Sequence, residues 1–372
     1  MSTTPILDLE QEPPAPRVRR WPTVLYLVVG AGIGVALSEY DFAMPGFNIL
    51  LWLPCVYMAI TIHELGHLAA GRAFGLPPGG LIVGGFVLMK YGDRWRLRFD
   101  RRRIFGGGVA LPAGGDFRVD AFAWMVAAGP AASILCTFAC WVAFRKHGSG
   151  DWDWIGTCFW ASAIGLLSAI PMSAGIHKSD AARLWMLCTR PEQARAWMAA
   201  VAVQAENNRG VRPREWNAAL VTQMLAADQP TGGQVFPQLL AYYRALDEGN
   251  EEAAFQHVEN ALAASGQAGK PVRQALYLEA TEANALLRKN AGNAKIWLER
   301  AIKLRKPECG DCAAGAVAIC EGRFEDALAD IGKTRKFLAR MKVNSGLGLF
   351  AEERLDERER LCREAIAVGV GQ

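Results

Sequence analysis

Four apolar stretches, each near the ~20 residues a helix needs to cross a bilayer, crowd the first half of this 372-residue chain. They are Trp21–Leu37, Phe47–Ala70, Ala121–Phe144 and Trp154–Ile176. In lipid such a segment satisfies its own backbone hydrogen bonds only as a helix, so the first expectation is a bundle of about four membrane spans. Trp21, Trp141, Trp152 and Trp154 sit near the stretch ends, as interfacial aromatics do. Bulk composition hides the pattern. At 51% apolar and 21% charged the chain is close to the globular average, because everything after Ile176 is charged and reads as helical. Met1–Arg20, rich in proline and charge, reads as a disordered tail. A cleaved signal peptide is the other reading of the first stretch, but no clear small-residue cleavage site follows it.

Basic residues orient the spans. Arg17, Arg19 and Arg20 precede the first stretch, and Arg72, Lys90, Arg94, Arg96, Arg98, Arg101, Arg102, Arg103 and Arg118 lie between the second and third. The loop after the first holds Glu39 and Asp41 with no base, and Arg145 and Lys146 are balanced by Asp151 and Asp153. Both termini are therefore expected in the cytoplasm, the protein being a multi-pass component of a bacterial inner membrane. A net charge of +4 is too small to argue for nucleic acid, and no basic block is interleaved with stacking aromatics. Nine cysteines follow no framework spacing. Cys309 and Cys312 form a CxxC, but no second Cys/His pair follows at zinc-ribbon spacing, so two ordinary thiols at a helix boundary is the plainer reading.

The second stretch contains His63-Glu64-Leu65-Gly66-His67. On a helix, positions i and i+4 share a face, so both imidazoles reach one metal ion, and Glu64 is turned toward a water at that ion. Ionisable groups within a span are costly and usually functional. His63 lies 16 residues past Phe47, ~24 Å along a helix at 1.5 Å per residue, which puts the metal in the cytosolic third of the bilayer.

Together with the Gly-rich segment Gly71–Phe86, Ala128-Gly129-Pro130-Ala131-Ala132-Ser133 and Leu166–Leu184, this motif resembles the site-2 protease family of intramembrane zinc metalloproteases. The resemblance covers Phe47 to about Leu184 and implies a polytopic protein that hydrolyses peptide bonds within or near transmembrane segments. In that family a late N-x-x-P…D-G motif supplies the third zinc ligand. Ser168 and Pro171 match its start and Ser179-Asp180-Ala181 its end, so Zn2+ is expected on His63, His67 and Asp180, with Glu64 as the catalytic base. Ser133 and Ser168 stand where the family often has Asn, and Ala181 where Gly is usual. Asp180 also suits the N-cap of the helix that follows, and His177 is the alternative third ligand.

Between the second and third stretches, Trp95, Leu97 and Phe99 alternate with Arg94, Arg96 and Arg98, the period of a half-buried strand. Lys90-Tyr91-Gly92-Asp93 turns it back onto Leu81–Met89 as a hairpin, with apolar residues on the membrane and arginines at anionic headgroups. The resemblance implies a membrane-associated sheet beside the active site, and Trp95–Phe99 is the segment expected to pair with substrate. From Pro191 onward, helices alternate with short turns. Gly249 precedes Ala254, Gly292 precedes Trp297 and Gly322 precedes Ala327, each by five residues. This looks like degenerate tetratricopeptide repeats, a generic helical bundle being the alternative.

The domains expected are thus a tail (1–20), a membrane-embedded protease domain (21–188), a helical linker (189–234) and a cytosolic all-α helical-repeat domain (235–372). The partners are a single-pass membrane protein as substrate, the lipid bilayer, and a protein partner or regulator on the helical domain. Two rival readings remain at this stage: a catalytically inactive relative, and a membrane-anchored helical-repeat adaptor that binds without cutting.

Overall fold

The computed structural model describes residues 49–115, 117–147, 153–174, 177–227, 233–304, 310–341 and 345–370. The first expected span, the tail before it and Cys309 lie outside these residues. The chain is mainly helical, with a four-stranded antiparallel sheet, and divides into two units near Arg195.

In the first unit, α1 (Ile49–Ala73) is mostly apolar and includes Pro54. Gly75, at φ 89°, ends it. The Leu76 N–H reaches the Gly71 carbonyl at 2.7 Å and the Gly75 N–H reaches that of Arg72 at 3.3 Å, the paired closure of a Schellman cap. Helix α2 (Val119–His147) contains Pro130, and α3 (Asp153–Gly165) is continued by a 3-10 turn, Leu166–Ala169. Gly66 lets α1 and α2 cross closely, since a β-carbon there would lie 2.6 Å from the Ala128 carbonyl oxygen and 2.7 Å from the Ala132 Cβ. Cys55 and Ala59 of α1 pack on Cys158 and Ala161 of α3. Among the described residues, Val119–Lys146 is long and apolar enough to cross a membrane, and Trp154–Ala169 is a shorter apolar helix. The fourth expected span, Trp154–Ile176, is not one helix. It breaks after Ala169, and a short hairpin follows, β5 (Ser173–Ala174) with β6 (His177–Lys178). Pro171 cannot donate the next helical bond and restricts the residue before it. Ile170 is accordingly extended, with φ −90° and ψ 126°.

The sheet comprises β1 (Pro78–Val83), β2 (Phe86–Tyr91), β3 (Arg94–Phe99) and β4 (Gly108–Pro112), in the order β3-β2-β1-β4. The alternating strand is present as β3 at an edge of the sheet but is not half-buried, since Trp95, Leu97 and Phe99 are exposed along with Arg94 and Arg96. What reads as one strand, Leu81–Met89, is two, because Gly84 and Gly85 turn the chain between β1 and β2. Gly84 sits at φ 52° against the Tyr57 ring. The Tyr57 hydroxyl donates to the Ile104 carbonyl at 2.7 Å and accepts from the Gly85 N–H at 3.3 Å, tying α1 to the strand-connecting loops.

Helix α4 (Asp180–Thr189) follows the hairpin, and α5 (Pro191–Asn208) leads into the second unit. There α6 (Ala218–Leu225) precedes three helix pairs: α7 (Val235–Asp247) with α8 (Glu251–Ala264), α9 (Lys270–Glu282) with α10 (Ala291–Leu304), and α11 (Gly310–Cys320) with α12 (Phe324–Met341). Helix α13 (Gly346–Val370) closes the chain. Ala199, Ala200 and Val203 of α5 share a core with Trp216, Met224 and Leu240, so residues of 189–234 build this unit's core. Gly249 and Gly322, both at φ 74°, make the tight turns of the first and third pairs. In the second pair that conformation falls to Lys289 at φ 51°, and Gly292 lies inside α10. Ala254 and Ala327 are buried five residues past their turn glycines, and Ala294, five past Lys289, takes that core position in the second pair, so the spacing of Gly292 from buried Trp297 does not mark the same turn.

Candidate metal centre

His63, Glu64 and His67 lie within α1, and all three are buried. The two Nε2 atoms are 3.2 Å apart. Asp180 Oδ2 is 3.0 Å from His63 Nε2 and 3.6 Å from His67 Nε2. A tetrahedral shell with bonds of 2.0–2.1 Å separates its ligand atoms by about 3.3 Å, and these three separations bracket that value. The donor set, two imidazoles and a carboxylate, fits a small divalent cation and is the group among the described residues able to hold one. The backbone of His177 lies in β6, three residues before Asp180.

Neighbouring groups present the right nitrogens. His67 Nδ1 is 2.7 Å from the Met125 carbonyl, which only accepts, so the proton sits on Nδ1 and the Nε2 lone pair is free for metal. His63 Nδ1 is 2.9 Å from Ser133 Oγ, which accepts in the same tautomer. Ser133 thus fills the place where the resembled family often has Asn. Gly129 makes the approach possible, since a β-carbon on it would overlap the His67 ring and lie 2.8 Å from His63 Nε2. Ser133→Ala is expected to weaken metal affinity by about 10–100-fold, the usual cost of losing an outer-shell partner. A competition titration against a chelating dye, with circular dichroism as the folding control, measures it.

Asp180 is the first residue of α4, not its cap. Ser179 caps the helix, accepting from the Ala182 N–H at 3.2 Å, and it donates to the Ile170 carbonyl at 2.7 Å. Asp180 is therefore free to turn Oδ2 to the imidazoles, while Oδ1 faces Arg183 Nη1 at 3.5 Å. Burial opposes its ionisation, but the adjoining His63 and His67 imidazoles, whose Nε2 atoms donate to it only when the rings are protonated, outweigh burial and hold the carboxyl well below the usual carboxylate range. Ser168 sits in the 3-10 turn, and its hydroxyl is buried without a hydrogen-bond partner among the described residues.

Glu64 is bordered by β4, because a β-carbon on Gly108 would collide with its carboxylate. The strand beside the centre is therefore β4, while β3, the segment expected to pair with substrate, is the far edge of the sheet. The Gly84 N–H donates to the Gly107 carbonyl at 3.1 Å. Antiparallel alternation from that bond directs Val109 at β1 and leaves the backbone groups of Gly108 and Ala110 pointing away from it. Sequence reasoning named His63, Glu64, His67 and Asp180. It missed Gly108, Arg183 and the Met125 carbonyl, and it quoted Ser133 and Gly129 without their roles. Compared with protein-family models, curated proteins and solved structures, the chain matches none.

Proposed function

We propose that this protein is an intramembrane zinc metalloprotease of the site-2 type, hydrolysing peptide bonds within or beside transmembrane segments of single-pass membrane proteins. The observation that carries this reading is the convergence of His63, His67 and Asp180 at metal-ligand separations, with Glu64 one residue along the same helix. A His2Asp set that leaves a fourth position open is a catalytic rather than a structural pattern. When bound, zinc supplies Lewis acidity and lowers the pKa of water to about 7. Glu64 takes the proton of the attacking water and passes it to the leaving amine. Met125 and Ser133 hold the imidazoles in their tautomers, and Arg183 orients the Asp180 carboxylate.

A lipid setting is supported by what the helices leave uncovered. Leu50, Leu53, Met58 and Leu65 of α1, Trp124, Ile134, Leu135 and Phe138 of α2, and Trp154 and Ile164 of α3 are all exposed. Water penalises such surface by roughly 25 cal/mol per Å2, whereas acyl chains do not. The arginines of β3, alternating with exposed Trp95, Leu97 and Phe99, suit the headgroup layer. The reading is a polytopic bundle with both termini in the cytoplasm.

The test is cleavage in proteoliposomes of a panel of single-span substrates with helix-breaking Gly or Pro in the span. Products that vanish with chelator and return with zinc support the proposal. Bound zinc without cleavage of any substrate, or of any native membrane protein, leaves the binding-only readings in its place. The β4 edge adds a sharper expectation. An unwound substrate adds to it as a strand, since main-chain pairing holds many sequences in one geometry. Ala110→Pro then removes one outward donor and slows cleavage about three- to tenfold, the worth of one hydrogen bond, with metal binding intact. Val109→Pro breaks the β1 ladder and destabilises the sheet. Equal turnover of Ala110→Pro and the parent protein would exclude this edge as the substrate strand.

A further inference from the structure

The helical unit contains a half-open cavity of about 320 Å3, lined by residues of α7, α9, α11, α12 and α13. That volume falls at the small end of ligand pockets, about 300–1,000 Å3. Leu278, Leu338, Leu347 and Phe350 supply apolar walls, and four charged residues, Glu279, Glu282, Arg354 and Arg358, line the rest. Their pairing is uneven. Glu282 takes both guanidiniums, with Arg358 Nη2 at 2.5 Å and Arg354 Nη2 at 3.7 Å. Glu279, one turn earlier on α9, accepts from the Tyr243 hydroxyl, a neutral donor. Burial and the nearby Glu282 carboxylate push Glu279 up to about 7, while the two arginines, against burial, hold Glu282 down at about 2. A second group points to an occupant. Thr334 is 3% exposed, lines the cavity, and its Oγ1 has no hydrogen-bond partner among the described residues. A buried hydroxyl left in that state costs about 1–3 kcal/mol.

We propose that this cavity is a binding site for a small amphipathic amine, its apolar body against Leu278, Leu338 and Phe350, its ammonium on Glu279, and Thr334 serving a polar atom of the ligand. An anionic ligand fits less well, because it must compete with Glu282 for both arginines and lie beside two carboxylates. An ammonium adds a charge-assisted bond to a carboxylate whose hydrogen-bond donor among the described residues is the neutral Tyr243 hydroxyl, Arg354 attracting it through space, and it relieves the burial that raises Glu279.

The experiment is calorimetric titration of the full-length protein in lipid nanodiscs with hexylamine, hexanol and hexanoate, against empty nanodiscs. Hexylamine is expected to bind about tenfold or more tighter than hexanol, with hexanoate weakest. Glu279→Gln removes the preference for hexylamine and retains hexanol binding. Leu338→Trp, which fills the cavity, abolishes binding of both and separates the site from adsorption to lipid. Tightest binding by hexanoate, an unchanged hexylamine affinity in folded Glu279→Gln, or no binding by any probe overturns the proposal. So does tighter binding of N-acetyl-lysine amide than of hexylamine, which would make the occupant a protein side chain.

Discussion

Glu64→Gln lowers turnover by about 10²–10⁴-fold, the range expected for loss of a general acid–base, and leaves metal stoichiometry unchanged. The two outcomes separate because Glu64 stands outside the His63, His67 and Asp180 group. Glutamine keeps the volume of a side chain that is 6% exposed and bordered by Gly108, so it creates neither cavity nor overlap. Its amide has the shape of the carboxylate but cannot take a proton from water. Metal analysis and turnover on one preparation decide the matter. A zinc-replete variant with normal turnover would remove Glu64 from the mechanism, and a variant that loses zinc would make it a structural support of the ligands.

How far the sequence foretold the site follows from the range over which each interaction acts. His63, Glu64 and His67 were legible because one helical turn relates them and because their polarity stands out in an apolar stretch. Asp180 came only through the resemblance of Ser179-Asp180-Ala181 to a late motif, since no local spacing connects it to α1. The Met125 carbonyl leaves no mark in sequence, as every residue has one. Gly108 needs the register of β4 on β1 before its closeness to Glu64 can be seen. The sheet was half legible. Alternation marked β3, but the apolar run Leu81–Met89 concealed a turn that only the glycine pair signals. The fourth stretch is not one helix because average hydropathy is blind to backbone chemistry, and Pro171 ends the helical run that hydropathy extends to Ile176. In the second unit, Gly249 and Gly322 were true turn markers. Gly292 was not, since Lys289 takes the left-handed conformation at the cost of some strain.

Asp180→Ala is the second large effect, and it tests the step from motif to ligand. Structural zinc sites are worth about 10–16 kcal/mol over four ligands. Losing one of comparable weight costs roughly a quarter of that, a fall in affinity on the order of 10²–10³-fold. Little else should change, because Ser179 and not Asp180 caps α4 and keeps its bonds to Ala182 and Ile170. The helix start therefore survives, and Arg183, whose side chain is 39% exposed, turns to solvent. Without the carboxylate, His63 and His67 remain as a bidentate pair too weak to hold zinc against a dilute chelator. His177→Ala run in parallel is expected to bind zinc as the parent protein does, since His63, His67 and Asp180 already form a closed triangle of ligand atoms. Zinc retained in Asp180→Ala and lost in His177→Ala would transfer the third position to β6. Zinc lost in Asp180→Ala together with its helical signal would show that the aspartate holds the fold and would leave its role as a ligand unsupported.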